Sequence, residues 1–213
     1  MEPAGRRRER VVLDTSLFIN PEVRGNFGST PTEAVEGFLF LASQIPTIEF
    51  YMPSSIFKEL LNFIEPDKVS GDLLTILHQK PPSKHELTCP AFLLYELIDD
   101  IRERVNKGLR IAEKAVRSVQ KAEESDVIHN MRKNYRDALR EGIIDSKEDV
   151  DLILLAKELN ALLITTDYGA IKWAEKLGVR WLLPNKFKDY LLSSIKRAKA
   201  KNIGSEPPSS SSL

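Results

Sequence analysis

The chain has 213 residues, 42% hydrophobic and 29% charged, enough for one α/β domain with an insertion or for two small domains. Lysine plus arginine and aspartate plus glutamate both number 31, so the net charge indicates no particular partner. A single cysteine, Cys89, excludes an intramolecular disulfide framework and suits a reducing cytoplasm, and the scattered histidines make a zinc site a poor expectation. No apolar stretch approaches the roughly 18 residues of a membrane helix, so no membrane association is expected.

Residues 1–89 predict alternating strands and helices after a polar, flexible N-terminus at 1–9. The elements expected in order are a strand at 10–14, a helix at 32–44, a strand at 48–52, a helix at 56–64 and a short helix at 71–79. Ser54 or Ser55 is placed to cap the helix at 56–64 by accepting a hydrogen bond from a backbone N–H.

Residues 90–140 have a different pattern, which predicts an inserted helical hairpin. Apolar residues recur at steps of three or four, at Ile98, Ile101, Val105, Leu109, Ala112, Val116 and Val119. After a turn at 123–126, a second helix aligns Ile128, Met131, Tyr135 and Leu139. A stripe this narrow needs a partner. The hairpin either packs on the main domain or forms a protruding arm that self-associates, and we expect the second, a homo-oligomer.

The α/β pattern resumes at 141–203. We therefore expect one discontinuous domain with a parallel sheet, formed by residues 10–89 and 141–203. Ser146 and Asp149 resemble a capping box that starts a helix ending near residue 159. The later elements expected are a strand at 162–166, a helix at 170–177 closed by Gly178, a strand at 179–183 and a basic helix at 186–201. The serine-rich tail at 204–213 is expected to be disordered.

Two acidic residues follow predicted strands of this sheet. Asp14 and Asp167 come at the carboxyl ends of their strands, where parallel sheets form their sites. Asp149 starts the helix that precedes the second of these strands, and a right-handed crossover can bring it to face Asp14. Buried carboxylates need a partner or a metal, and hard cations such as Mg²⁺ or Mn²⁺ take oxygen ligands. For Asp145 and Asp149 taken singly, a plain helix N-terminus explains an acid equally well.

Further side chains are candidates to complete this site. Glu59 lies in a predicted helix and would be an ordinary exposed glutamate by itself. The hydroxyl groups next to the two strand-end aspartates are placed to orient them, or a metal-bound water, at Thr15, Ser16, Thr165 and Thr166.

The ordered motifs resemble those of PIN-domain ribonucleases. They are Val-Leu-Asp-Thr-Ser at 12–16, Pro53 with Glu59-Leu60, Asp151 with Ala156, and Leu-Ile-Thr-Thr-Asp at 163–167. With the helical insertion, residues 10–200 look like the minimal protein-only ribonuclease P family of bacteria and archaea. That resemblance implies a Rossmann-like α/β fold with a parallel sheet flanked by helices and a protruding hairpin.

The resemblance also implies an activity and a set of site residues. The activity is metal-dependent removal of the 5′ leader from precursor tRNA in the cytoplasm, without a catalytic RNA subunit. The implied catalytic residues are Asp14, Asp145, Asp149, Asp151 and Asp167. The implied metal ligands are Asp14, Asp149, Asp151 and Asp167, with Glu59 added from the general PIN pattern. The alternatives are another PIN ribonuclease, for rRNA processing or as a toxin, and a non-catalytic RNA-binding assembly subunit.

Basic residues on the hairpin are candidates for RNA binding, because lysine and arginine neutralise phosphates. They are Arg110, Lys114, Arg117, Lys121, Arg132, Lys133 and Arg136. A solvated helix face with ion pairs between neighbouring turns explains any one of them equally well.

Overall fold

A five-stranded parallel β-sheet forms the centre of the computed structural model, which describes residues 8–71, 73–118, 124–140 and 146–203. Its strands are β1 Glu9–Leu13, β2 Ile48–Met52, β3 Leu77–Gln79, β4 Leu162–Ile164 and β5 Trp181–Leu182. They lie in the order β3-β2-β1-β4-β5. Every described pairing is parallel, which confirms the α/β class expected from the alternation of strands and helices.

Helices cover the sheet and extend from it. Those before the third strand are α1 Ser16–Ile19, α2 Pro21–Arg24, α3 Pro31–Ala42, α4 Ser54–Leu61, a 3₁₀ helix at Pro66–Lys68 and α5 Leu73–Ile76. Those after it are α6 Phe92–Ser118, α7 Glu124–Arg140, α8 Lys147–Leu159, α9 Tyr168–Lys176 and α10 Pro184–Ile203. None of the described helices is long and apolar enough to cross a membrane.

The core lies around the central strand β1, whose last three residues, Val11 to Leu13, are fully buried. A group of aromatic rings packs beside it. The ring of Phe38 meets Phe50 edge-on at 5.1 Å between centroids and stacks on Phe187 at 6.3 Å. Each such buried side chain contributes roughly 1.5–3 kcal/mol by leaving water. This packing holds α3, β2 and α10 against one another beside β1, and with them the chain segment that follows β2.

The strand order reverses beside β1, which has β2 on one side and β4 on the other. Leu13 pairs with Ile164 at the ends of β1 and β4. The next residue, Asp14, donates its backbone N–H to the carbonyl oxygen of Ile164 at 3.1 Å. Crevices at such reversals are the usual sites of parallel sheets. The pairing therefore brings the segments that follow both strands together.

The helices α6 and α7 pack against each other as a hairpin, and close contact is possible because Gly108 has no side chain. A Cβ atom at Gly108 would lie 2.5 Å from the ring of Tyr135. The hairpin is attached at its base, where the buried carboxylate of Asp100 accepts hydrogen bonds from Trp173 Nε1 at 3.1 Å and Lys172 Nζ at 3.4 Å. A second ion pair joins Lys176 to Glu96.

Most of the apolar stripe on α6 stays exposed beyond this base. The exposed fractions are 54% at Ile98, 50% at Ile101, 63% at Val105, 57% at Leu109 and 72% at Val116. The described part of the main domain therefore does not cover the stripe, contrary to the simpler of the two alternatives considered from sequence.

Several local predictions were wrong. The helix expected at 71–79 ends at Ile76 and continues as β3, because parallel pairing with β2 stabilises an edge strand that local sequence does not indicate. The turn expected at 123–126 is helical from Glu124 onward. Neither Ser54 nor Ser55 caps α4, whose N-cap is Pro53. The predictions for residues 1–7, for Val119 and for the tail at 204–213 lie outside the described residues.

Candidate active site

An acidic cavity of about 680 Å³ opens at the carboxyl ends of β1, β2 and β4. Its residues come from the segments after these strands and from the start of α8. They are Asp14, Thr15, Ser16, Ser55, Ile56, Glu59, Ser146, Glu148, Asp149, Thr166, Asp167 and Tyr168. The structure therefore brings together Asp14, Glu59, Asp149 and Asp167, which the sequence predicted as neighbours. The predicted Asp145 lies outside the described residues.

Asp14 is the most enclosed of these acids, with 8% of its surface exposed. Its Oδ2 atom accepts two hydrogen bonds of 2.7 Å, one from Ser16 Oγ and one from Thr165 Oγ1. Thr15 Oγ1 lies 3.4 Å from the other oxygen, Oδ1. The hydroxyl groups adjacent to Asp14 thus orient its carboxylate as predicted, and leave Oδ1 without a short bond to any of the three.

Thr165 connects the two strand-end aspartates. Its hydroxyl donates to Asp14 and accepts the backbone N–H of Asp167 at 3.0 Å. The Asp167 side chain in turn caps α9 by accepting the backbone N–H of Ala170 at 2.6 Å. The hydroxyl of Ser16 similarly accepts the backbone N–H of Thr166 at 3.2 Å. The ends of β1 and β4 are therefore joined through side chains, and both acids are held in fixed orientations.

Asp149 is positioned by the capping box predicted at the start of α8. Its backbone N–H donates to Ser146 Oγ at 3.0 Å, and the Ser146 hydroxyl in turn donates to Asp149 Oδ2 at 2.7 Å. The adjacent residue, Glu148, also lines the cavity, and it was not among the acids selected from the sequence. Its position in the first turn of a helix whose start faces a strand end was the one available signal.

The carboxyl group of Glu59 has a pKa that is affected by the other acids of the cavity. Burial raises the pKa of its carboxyl above the ordinary value, and the negative charges of Asp14 and Glu148 raise that pKa further. Like charges this close disfavour full ionisation unless a cation joins them. Glu59 is thereby distinguished from the ordinary exposed helix glutamate that its sequence context alone would suggest.

Asp151, the remaining predicted acid, does not line the cavity. It is buried, with 8% exposed. Its Oδ2 accepts a hydrogen bond from Ser55 Oγ at 3.1 Å, and its Oδ1 forms an ion pair with Lys84 Nζ at 2.7 Å. Because Ser55 does line the cavity, Asp151 contacts the site through that hydroxyl.

The loop that carries Lys84 is held by Glu158 on α8. This carboxylate accepts Lys80 Nζ at 2.5 Å, the backbone N–H of Ser83 at 2.7 Å and Ser83 Oγ at 3.2 Å. Burial acts to raise the pKa of Glu158, but these bonds outweigh it and leave that pKa below the ordinary value. An ionised Glu158 thus fixes the loop, and the loop positions Lys84 beside Asp151.

The donor chemistry of the cavity fits a hard divalent cation. Its carboxylates and hydroxyls are all oxygen donors, the type that Mg²⁺ and Mn²⁺ prefer. Within the described ranges, no three acidic, histidine or cysteine side chains converge closely enough to hold an ion by themselves. Mg²⁺ commonly keeps several waters and uses only one or two carboxylates, so such convergence is not required of it.

The predicted RNA-binding residues lie apart from this cavity. All those with described side chains are exposed on the hairpin, at Arg110, Lys114, Arg117, Arg132, Lys133 and Arg136. Lys121 lies outside the described residues. Arg132 and Arg136 line a separate hollow with Tyr135 on α7. None of the described residues among them lines the acidic cavity.

Comparison with known proteins agrees with this arrangement. Residues 10–196 match a family of PINc domain ribonucleases, which generally depend on a metal. A protein of Thermodesulfovibrio yellowstonii named RNA-free ribonuclease P is 53% identical over 89% of this chain and 97% of its own length. Proteins of the same name from Pyrococcus horikoshii and Thermococcus kodakarensis are 49% and 48% identical, over 89% and 91% of this chain and 95% and 100% of their own lengths. The chain therefore belongs to the RNA-free ribonuclease P family of PIN-domain ribonucleases.

Proposed function

We propose that this chain is an RNA-free ribonuclease P, an endoribonuclease that removes the 5′ leader of precursor tRNA without a catalytic RNA subunit. The observation that carries the proposal is the acidic cavity at the ends of β1 and β4 in a chain that is about half identical to proteins of that name. The two alternatives considered from sequence, another PIN ribonuclease and a non-catalytic subunit, have no comparable support.

Within the cavity we assign the catalytic work to Asp14, Asp149 and Asp167, with Asp145 included from the family resemblance. Glu59 is the further candidate ligand, because its raised pKa reflects crowding that a cation would relieve. Asp151 completes the set by holding the Ser55 hydroxyl that faces the cavity.

We propose Mg²⁺, or Mn²⁺ in its place, as the cofactor. When bound, such an ion stabilises negative charge on a phosphodiester during its hydrolysis. Asp14 would hold it through Oδ1, since its Oδ2 already accepts two hydroxyl groups. The proposed products carry a 5′-phosphate on the tRNA and a 3′-hydroxyl on the leader.

For substrate binding we propose the exposed basic residues of the hairpin, which are separate from the acidic cavity. A polyanionic RNA is repelled by clustered carboxylates, so it needs positive charge elsewhere on the protein. Neutralising phosphates releases counterions, and we therefore expect affinity for precursor tRNA to fall steeply with salt.

We further propose that the chain forms a homo-oligomer through the exposed stripe of α6. Five large apolar side chains at steps of three, four and seven residues are each at least half exposed, at Ile98, Ile101, Val105, Leu109 and Val116. A contiguous apolar surface of this kind marks an association site. Replacing Val105 with Glu should lower the solution mass, while Phe40→Glu on α3 is a matched exposed control. A strict monomer of the natural chain at micromolar concentration would contradict this proposal.

One experiment tests the proposed activity against its alternatives. The purified chain is incubated with precursor tRNA and Mg²⁺, with no RNA subunit added. A single cut at the leader junction supports ribonuclease P activity, general degradation supports another PIN ribonuclease, and binding without cleavage supports an assembly subunit. A cytoplasmic location is part of the proposal, in keeping with this substrate and with a single free cysteine.

A further inference from the structure

Tyr168 is an exposed aromatic side chain at the mouth of the acidic cavity. It exposes 69% of its surface, and it is the one aromatic residue among the described residues that line the cavity. No hydrogen bond or ring contact joins its side chain to the part of the chain that the structure describes. The ring therefore contributes little to the fold, although it stands beside the proposed catalytic acids.

The backbone beneath this ring is firmly held. Tyr168 is the first residue of α9, directly after the N-cap Asp167, whose carboxylate accepts the backbone N–H of Ala170 at 2.6 Å. Gly169 and Ala170 are buried, and α9 packs into the core through Trp173. A tyrosine has only two side-chain torsions to order, so a ring on such a base binds a flat partner at low entropic cost.

The charge of the cavity indicates which part of an RNA this ring meets. Carboxylates line the cavity, and no lysine or arginine is found among its described lining residues. The cavity wall therefore offers the RNA backbone no direct ion pair with a side chain, and an uncharged contact can help to hold the strand beside the scissile phosphate. Nucleobases supply that contact, because every base has a face that stacks on an aromatic ring irrespective of sequence.

We propose that Tyr168 is a positioning residue that stacks on the nucleobase next to the scissile phosphate. This inference rests on the proposed ribonuclease P activity and adds a contact to it. Stacking tolerates any base, as an enzyme that cuts many precursor tRNAs requires. The hydroxyl group is not needed for stacking, so Tyr168→Phe should retain this contact and Tyr168→Ala should lose it.

The first test measures stacking without cleavage. Precursor tRNA with 2-aminopurine on either side of the cut is titrated with the Asp14→Asn chain, which is expected to bind this RNA and to cut it only very slowly. Quenching of the 2-aminopurine fluorescence at one of the two positions is expected. Combining Asp14→Asn with Tyr168→Phe should keep that quenching, and combining it with Tyr168→Ala should abolish it. Phe40→Ala, which removes a ring that is 70% exposed on α3, is the matched control and should leave quenching in place.

The second test uses cleavage. Tyr168→Ala should lower kcat/KM by about 5- to 150-fold, the range that loss of one stacked base produces. The loss should fall mainly on KM, since stacking holds substrate and transition state alike. On substrates with an abasic residue at the quenched position, the difference between Tyr168 and Ala should nearly vanish.

Two results would overturn the assignment: quenching that persists in Tyr168→Ala, or a penalty that remains undiminished on both abasic substrates. Failure of the natural chain to cut at the leader junction would instead contradict the proposed activity. The fluorescence measurement stays readable in that case, so the two failures are distinguishable.

Discussion

Replacing Asp14 separates its chemical role from its structural one. In Asp14→Asn the amide oxygen can occupy the position of Oδ2 and keep the two 2.7 Å hydrogen bonds from Ser16 and Thr165. The amide NH₂ then takes the place of Oδ1, where it can no longer bind a cation. In Asp14→Ala the acceptor itself is lost. We therefore expect both variants to lose most of their activity and the second to be the less stable of the two.

The expected magnitudes follow from these contacts. A hydrogen bond to a charged acceptor contributes roughly 1 kcal/mol more than one to a neutral acceptor, so two such bonds lose about 2 kcal/mol in Asp14→Asn. Removing the charge also relieves its repulsion of Glu59, which offsets at most about 0.5 kcal/mol and leaves a net loss of about 1.5 kcal/mol. In Asp14→Ala the fully buried Thr165 hydroxyl loses its acceptor, and the total loss should reach about 2–3 kcal/mol. Half-buried Ser16 can turn towards water instead.

The assays are urea denaturation at pH 7 and single-turnover cleavage of end-labelled precursor tRNA with Mg²⁺. Both variants should cut about 10³-fold more slowly, because stabilisation by a metal ion contributes several kcal/mol to the transition state. Activity of Asp14→Asn within tenfold of the natural chain would refute the role of Asp14 in the metal site. Equal stability of the Asn and Ala variants would refute the hydrogen-bond account.

Three further predictions concern charge and hydrogen bonding around the cavity and the hairpin. Because the folded-state pKa of Glu59 is raised, the stability of the fold falls as pH rises through that pKa. Glu59→Gln should therefore stabilise the chain by roughly 0.5 kcal/mol at pH 7.5 and hardly at pH 4. Urea denaturation at both pH values measures this difference, and a variant less stable than the natural chain at pH 7.5 would contradict it. Thr165→Val removes the hydroxyl between Asp14 and the Asp167 backbone and should cost about 1–2 kcal/mol of stability and lower kcat, with Thr165→Ser restoring both; an active, stable Val variant would exclude the bridge. Asp100→Ala leaves the buried indole N–H of Trp173 without its acceptor and should cost about 1–3 kcal/mol, seen as faster hydrogen exchange at the hairpin base; unchanged exchange would show that this bond does not attach the hairpin.

The parts of the site that were predicted from the sequence follow from the positions of residues at the ends of strands and from contacts between residues a few positions apart. Asp14 and Asp167 follow buried strands, and strands of a parallel sheet end on the same side. The capping box of Ser146 and Asp149 depends only on residues three apart. The hydroxyls beside Asp14 were selected because adjacent side chains can reach it, and the 2.7 Å bond from Ser16 confirms this for that residue.

The parts that the sequence did not predict depend on distant segments. Asp151 was grouped with the other acids, yet it pairs with Lys84 from a loop that Glu158 holds in place. Local pattern could not indicate that contact, because 67 residues separate Asp151 from Lys84 along the chain. The strand β3 was missed for the same reason, since its pairing with β2 stabilises it where the local sequence favours a helix.

The sequence by itself determined the alternation of strands and helices, the order of the acids along the chain and the family to which they point. Those properties arise from side-chain periodicity and from interactions within a few residues. Only the tertiary structure decided which acids share one cavity, that Glu148 and Tyr168 join them, and that the α6 stripe stays uncovered. These outcomes depend on the order of strands in the sheet and on long-range packing, which bring together residues that no local pattern connects.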